Sequence, residues 1–205
     1  MSLVAFLFAA LVLAITPGPG IAYVVARTAA GGRNEGIASC FGTAVGGLLH
    51  VVAAALGLSV VVARSAVAFD VIKYVGAVYL AYLGVRMLLR REQGFAMAAV
   101  AAQGVRRAFA EGVIVEALNV KTALFFLAFL PQFIAPGEPM APQWLLLGSF
   151  CVALNTGVDC VAVFGIRRIF RAEALRAARA GIMTKVSGVT LLLLAASLAI
   201  VRRPT

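Results

Sequence analysis

Long apolar runs separated by short polar connections dominate this chain. Six of them approach the roughly 20 residues that an α-helix needs to cross the hydrocarbon core of a bilayer. They cover about residues 3–26, 37–63, 71–89, 112–134, 144–166 and 186–201. The pattern predicts an all-α integral membrane protein, with six transmembrane helices in a single polytopic domain over residues 1–205.

The first apolar run is interrupted by TPGPG, whose Pro17 and Pro19 have no amide hydrogen. The carbonyl groups four residues earlier, at Leu13 and Ile15, therefore lose their helical hydrogen-bond partners. Such groups are costly in hydrocarbon unless protein, water or a ligand satisfies them. We expect the first helix to be broken at Thr16–Pro19 and to border a cavity; a proline kink healed by neighbouring helices is the alternative.

The residues that precede the prolines support two half-helices. Thr16 and Gly18 are biased away from helical backbone angles because a proline follows each of them. Thr16 followed by Pro17 is also a favourable pair for an N-cap and a first turn. We expect a new helix N-terminus to open there.

The two halves of the chain resemble each other weakly. Residues 73–91 and 185–203 share a lysine, a glycine, a leucine and a terminal arginine pair when shifted by 112 positions. Three spans in each half would invert the second copy, as in many secondary transporters. We expect inverted three-helix repeats over about 1–91 and 111–203, joined by a loop over about 92–110.

Basic residues concentrate in connections one, three and five. Those connections contain Arg27, Arg33, Arg90, Arg91, Arg106, Arg107, Arg167, Arg168, Arg171, Arg176 and Arg179. The opposite side has only Arg64, Lys73, Arg202 and Arg203. The positive-inside rule then places the odd-numbered loops in the cytoplasm and both termini outside. The net charge of +10 accordingly indicates an anionic membrane face as the partner, and no nucleic acid.

Composition agrees with a multi-pass membrane protein, which we expect in the plasma (inner) membrane. The chain is 63% hydrophobic and 13% charged, which is too little charge for a soluble domain of 205 residues. Met1 and Ser2 carry no basic charge, which argues against a cleaved signal peptide. Three cysteines lie inside apolar runs, and we interpret them as packing residues. We predict no metal site and no cofactor.

Polar residues lie near the middle of several spans. A charge at the bilayer centre costs at least about 2.5–3.5 kcal/mol, so it usually faces a cavity or a partner. We predict a substrate site formed by Thr16, Pro17, Gly18, Pro19, Asn119, Lys121, Asn155 and Asp159. Asn155 and Asp159 are one turn apart and share a helix face. The candidates for proton coupling are Asp159, Glu116 and His50.

Each of these candidates has a structural alternative. Lys121 and Asp159 could form only a buried ion pair, and His50 could be a packed, hydrogen-bonded histidine. Glu116 lies nearer the cytoplasmic edge of its span and could simply reach the interface. Gly42 and Gly46 form a GxxxG pair, which close helix packing explains without a functional role.

An ordered set of motifs resembles the LysE/RhtB amino-acid exporters. The motifs are TPGPG (16–20), GGRNEGIASCFGTAVGGLLH (31–50), ALGL (55–58), KYVGAVYLAYLGVR (73–86) and NVKTALFFLAFLPQF (119–133). Two positions depart from the family pattern. Val120 stands where the family usually has proline, which leaves open how far span four unwinds. Gly20 stands where the family often has a polar residue.

The resemblance implies an efflux transporter for amino acids or close derivatives that is driven by protons, and not an enzyme. Whether the protein forms a homo-oligomer is left open. Lys121 and the helix N-terminus at Thr16–Pro19 suit a substrate carboxylate. Asp159 and the freed carbonyls of Leu13 and Ile15 suit its ammonium. The alternatives are an exporter or channel for another small solute or metal ion, and a membrane-embedded enzyme. These alternatives would favour acidic rings, His/Cys clusters or an HExxH pattern, and the sequence contains none of the three.

Overall fold

The computed structural model describes residues 3–16, 18–58, 66–89, 101–135 and 137–169, with eight positions in or directly before the last predicted span. Those eight are residues 185, 188, 189, 192, 193, 195, 196 and 199. Every regular element in this described part is a helix, which confirms the all-α class there. Pro17, most of the sixth span and the basic residues at 90–91, 171–179 and 202–203 lie outside it. The six-span count and the inverted repeats stay predictions.

Two helices flank the TPGPG motif, as expected. Helix α1 covers Leu3–Ile15 and α2 covers Pro19–Ala53. The expected N-cap at Thr16, with Pro17 in the first turn, is wrong. Gly18 is the N-cap residue, extended at φ −138° and ψ −175°, because a proline follows it. Thr16 instead completes the last turn of α1, where its Oγ1 donates a hydrogen bond to the carbonyl of Val12 at 2.6 Å.

Helix α2 reverses direction at Gly32. This residue has φ 76° and ψ −167°, a conformation that favours glycine. Thr28 Oγ1 packs directly against Gly36, whereas eight residues of continuous helix would separate these positions by about 12 Å. Helix α2 is therefore a helical hairpin with arms over residues 19–31 and 33–53. The predicted first connection is the turn of this hairpin.

The remaining helices follow the predicted spans with shifted ends. The second arm of α2 continues into a π-helical turn at Ala54–Leu58, and α3 covers Ala66–Leu89. Helix α4 covers Val105–Ala117 and α5 covers Val120–Leu124. Helix α5 continues through a π-helical turn at Phe125–Phe129 and a 3-10 turn at Leu130–Phe133. Helix α6 covers Met140–Ile169.

Span four is broken even though Val120 replaces the proline. Helix α4 ends at Ala117, and the chain bends by 44° before α5. Asn119, with φ −76° and ψ 98°, is the N-cap of α5, and its side chain accepts a hydrogen bond from the Lys121 amide at 3.1 Å. An asparagine cap therefore starts the new helix without a proline.

The described helices meet the requirements of a bilayer. Pro19–Gly57, which includes the hairpin turn at Gly32, contains a stretch long and apolar enough to cross one, and so does Met140–Gly165. A third span is present if Val105–Ala117 and Val120–Phe133 count as one bent element, while Val4–Ile15 is apolar but shorter. Large apolar side chains point outward: Val4, Phe8, Leu146 and Val161 are 69–74% exposed. Such a surface suits lipid as the solvent.

The second arm of α2 and α4 pack backbone against backbone. A Cβ atom at Gly42 would collide with the Phe109 carbonyl oxygen, and one at Gly46 would lie 2.6 Å from the Val113 carbonyl oxygen. A Cβ atom at Gly112 would lie 2.8 Å from the Ser39 carbonyl oxygen. Gly42, Gly46 and Gly112 thus form a glycine seam, which confirms the close packing predicted from the GxxxG pair.

Candidate functional site

The two helix breaks meet at Lys121. Its ammonium nitrogen donates hydrogen bonds to the carbonyl oxygens of Leu13 at 3.0 Å and Thr16 at 2.6 Å. The Leu13 carbonyl has no helical partner because Pro17 lacks an amide hydrogen. A side chain from the second break therefore satisfies carbonyl groups that the first break exposes. We call the carbonyl oxygens of Leu13 and Thr16 the carbonyl cage.

Gly18 leaves room for this contact. A Cβ atom at Gly18 would lie 3.1 Å from Lys121 Nζ and 3.2 Å from its Cδ. Gly18 also precedes Pro19, the first residue of α2, so the ammonium lies beside the N-terminus of that helix. The first break thus exposes carbonyl oxygens at the end of α1 and amide groups at the start of α2.

The Glu116 carboxylate is buried at the centre of this region. Only 2% of Glu116 is exposed, so the expectation that it could reach the interface is wrong. Its Oε2 accepts a hydrogen bond from Asn119 Nδ2 at 2.9 Å, and its Oε1 accepts one from Thr122 Oγ1 at 2.6 Å. Oε2 also lies directly against Gly20, in the first turn of α2. A helix N-terminus favours an anionic group at this position.

His50 binds the end of α4. Its Nε2 lies 2.8 Å from the carbonyl oxygen of Glu116, and its ring stacks on Phe126 with centroids 6.5 Å apart. Because a carbonyl can only accept, Nε2 must carry the hydrogen in this contact. His50 therefore holds the backbone at the second break, as a packed, hydrogen-bonded histidine would.

Asp159 is buried and contacts Thr43. It is 1% exposed, and its Oδ2 accepts a hydrogen bond from Thr43 Oγ1 at 3.3 Å. Its Oδ1 is buried and has no hydrogen-bond partner among the described residues. The alternative of a direct ion pair with Lys121 does not hold in this conformation, because the ammonium lies on the carbonyl cage. Asp159 Oδ1 is therefore a buried acceptor that is available to a proton or a ligand.

A small cavity lies next to these groups; Leu13 and Glu116 line it, whereas Lys121, His50 and Asp159 do not. It has a volume of about 20 Å³, enough for about one water molecule. Its polar lining comes from four helices and consists of Thr43, Glu116, Thr122, Asn155 and Thr156. The remaining lining residues are apolar or glycine, apart from Cys151. The cavity is therefore too small for an amino acid, which would fit there only if helices moved apart.

The structure brings most of the predicted site together. Thr16, Gly18, Asn119 and Lys121 surround the two breaks, and Asn155 lines the cavity. Pro19 is at its predicted place but exposed, and Pro17 lies outside the described residues. Sequence reasoning missed Thr43, Thr122 and Gly20. A polar residue within an apolar run was the signal available for both threonines.

Comparison with known proteins identifies the family of the chain. The family model described as LysE type translocator matches residues 11–202. The chain belongs to this family. Its LysE-type relatives include a homoserine/homoserine lactone efflux protein from Salmonella typhimurium, 30% identical over 161 residues, which are 78% of this chain and 76% of the relative.

Two further relatives are described only as membrane proteins. An uncharacterised membrane protein from Vibrio cholerae is 30% identical over 163 residues, 78% of this chain and 77% of its own. The uncharacterised membrane protein YrhP from Bacillus subtilis is 33% identical over 162 residues, 75% and 77% of the two chains. No solved structure matches the chain. Membership of the LysE family indicates a membrane transporter rather than an enzyme.

A second polar network in this LysE-type protein lies at the hairpin turn of α2. Arg27 and Glu35 are buried and form an ion pair at 3.5 Å. Glu35 Oε1 also accepts hydrogen bonds from the backbone amides of Gln103 at 2.8 Å and Gly104 at 2.7 Å. Arg27 donates to the carbonyl of Ala101 at 3.2 Å. We call this group the hairpin latch; the sequence indicated Arg27 only as a loop charge.

The cysteines of the LysE-type fold are not arranged as a metal centre. Cys40 and Cys151 are buried, and Cys40 Sγ lies 3.5 Å from Cys160 Sγ. In the described residues, no three His, Cys, Asp or Glu side chains are grouped as metal ligands. The contacts of Cys40 fit the packing role expected from the sequence.

Proposed function

We propose that this protein exports an amino acid or a close derivative across the plasma (inner) membrane. The observation that carries the proposal is the meeting of two interrupted helices around Lys121, beside buried carboxylates. Secondary transporters bind small polar substrates at such breaks, where exposed backbone groups supplement side chains. The relative named homoserine/homoserine lactone efflux protein makes homoserine the first substrate to test.

The polar groups suit a zwitterion. Lys121 and the N-terminal amide groups of α2 attract a carboxylate. The buried carboxylates of Asp159 and Glu116, together with the carbonyl cage, attract an ammonium group. Asn119 and Asn155 add neutral donors and acceptors that can position either end of the substrate.

Proton coupling is the second part of the proposal. Asp159 is buried and has one acceptor oxygen without a partner in the described residues, so a proton or a substrate ammonium can occupy it. Glu116 is already engaged by Asn119 and Thr122, and His50 by the Glu116 carbonyl. Asp159 is therefore the leading candidate for the residue that exchanges a proton for substrate.

Orientation and assembly complete the proposal. The loop charges support an orientation with the odd-numbered connections in the cytoplasm and both termini outside. The hairpin latch would then lie at the cytoplasmic end, because it joins connection one to the end of connection three. A homo-oligomer is compatible with the exposed apolar surface.

Growth protection and efflux of labelled substrate test the function. Cells that overproduce the protein are challenged with single amino acids, homoserine, analogues and dipeptides, and efflux from preloaded cells is measured. We expect protection and accelerated efflux for at least one zwitterionic substrate, and loss of both with Lys121→Met. Efflux of other solutes or metal ions without amino-acid efflux would refute the proposal.

A further inference from the structure

The first helix break is occupied by charged groups of the chain itself. The Lys121 ammonium lies on the carbonyl cage, and the Glu116 carboxylate lies against Gly20 at the start of α2. A cation therefore sits at the C-terminal end of α1 and an anion at the N-terminal end of α2. These are the positions that the dipoles of the two helices favour. Together, Lys121 and Glu116 provide an ammonium and a carboxylate at the break, which are the two charged groups of an amino acid.

We infer that the carbonyl cage is a primary-ammonium site, and that Lys121 occupies it until the ammonium group of the cargo replaces it. The inference rests on the proposed function only for the identity of the cargo. Exchange of one ammonium for another leaves the charge at the cage unchanged. The displaced Lys121 then turns toward the cargo carboxylate, so one movement supplies partners for both ends of a zwitterion.

The geometry defines the chemical class of the ligand. Two hydrogen bonds, at 3.0 Å and 2.6 Å, require at least two N–H donors on one nitrogen. A primary ammonium has three N–H donors, and a quaternary ammonium has none. Gly18 leaves little space beyond the nitrogen, since its Cβ would lie 3.1 Å from Nζ. The cage therefore admits substrates with a free amino group and excludes N-acylated and N-trimethylated derivatives.

Removal of the resident ammonium provides the test. Lys121→Ala deletes three methylene groups and the ammonium. The space that it leaves has the shape of n-propylammonium. We expect n-propylammonium to raise the melting temperature of the purified variant in detergent in a saturable manner. Wild type and Lys121→Met should show no such shift, because a side chain still fills the space. Trimethylpropylammonium should not shift any of the three proteins.

A second variant tests the position of the site. Adding Gly18→Ala to Lys121→Ala places a methyl group beside the cage. The propylammonium concentration that gives half of the maximal shift in melting temperature should then rise at least about tenfold, which corresponds to 1.4 kcal/mol. An equal response to the quaternary ion, an equal response of wild type, or no response of Lys121→Ala overturns the inference. If Lys121→Ala aggregates without ligand, the yield of folded protein solubilised with and without propylammonium becomes the readout. Equally poor recovery in both overturns it too.

The outcome is separable from that of the transport assay. Binding of propylammonium to the variant without any amino-acid efflux by wild type would keep the cage and refute the exporter. Efflux of amino acids by wild type without propylammonium binding would keep the exporter and refute the cage. Efflux of the free amino acid but not of its N-acetyl or N-trimethyl derivative is expected when both hold.

Discussion

The Glu116 carboxylate lies against Gly20, and its Oε2 fills the space that a Cβ atom at that position would need. The same carboxylate is held by Asn119 and Thr122, so it cannot move without losing these bonds. Glycine at position 20 leaves the room that the Glu116 carboxylate occupies.

Gly20→Ala should therefore displace Glu116 and disrupt the site. We expect destabilisation of about 1–3 kcal/mol, as for other overpacked positions, and a loss of efflux larger than the loss of inserted protein. Efflux is measured per molecule of protein in the membrane. Gly157→Ala is the matched control, because a Cβ atom there meets nothing within 4 Å. Equal efflux by both variants would contradict the role of this contact.

The first break should be required for transport. Pro17→Ala combined with Pro19→Ala restores two amide donors, which favours a continuous helix through the break. We expect normal insertion and no efflux. Pro142→Ala, in the first turn of α6, is the control and should transport normally, because a first-turn amide has no helical partner. Wild-type transport by the double variant would reduce the motif to a kink.

Asp159 should couple transport to protons. Asp159→Asn mimics the protonated side chain and keeps its size, so we expect insertion and substrate binding but no accumulation driven by a pH gradient. Reconstituted vesicles with an imposed gradient provide the measurement, and exchange of labelled for unlabelled substrate can persist. Glu138→Gln, at an exposed loop position, is the control. Gradient-driven accumulation by Asp159→Asn would show that Asp159 is not the coupling residue, and Glu116 and His50 would be tested next.

The hairpin latch should contribute strongly to stability. Glu35→Ala leaves the buried Arg27 without its carboxylate, a loss that typically costs about 3–5 kcal/mol. We expect a large fall in the melting temperature of the detergent-solubilised protein. Arg107→Ala breaks an exposed pair with Glu111 and should change the stability by about 0.5 kcal/mol or less. Similar falls for both variants would show that the latch does not stabilise the fold.

The predicted topology can be tested by labelling. In a background without Cys40, Cys151 and Cys160, single cysteines are placed at position 205 and within residues 167–179. A membrane-impermeant thiol reagent should label position 205 in intact cells and should label 167–179 only after lysis. The reverse pattern would place the termini in the cytoplasm.

The sequence indicates the depth of a residue in a span better than the face it occupies. TPGPG predicted the break between α1 and α2, and Lys121 was placed near mid-span. The partners of Lys121 and Thr43 could not be predicted, because they depend on how neighbouring helices are rotated. Glu116 was assigned to an edge because span four was expected to begin near residue 112, whereas α4 begins at Val105. Arg106 and Arg107 masked this start, since long basic side chains can reach the interface from within a helix.

The glycine seam also has a consequence for which helices are expected to move together. At Gly42 and Gly112, the second arm of α2 and α4 place bare backbone against bare backbone, with no side chain of either residue between them. Sliding would open an empty gap, so we expect these two helices to move as one rigid frame. Contact with α6 is different, because Val51 fits a notch at Gly148 and Val152 fits one at Gly47. Packing of this kind is compatible with small shear movements. We therefore expect α6, which contains Asn155 and Asp159, to be the helix that slides along this frame during transport.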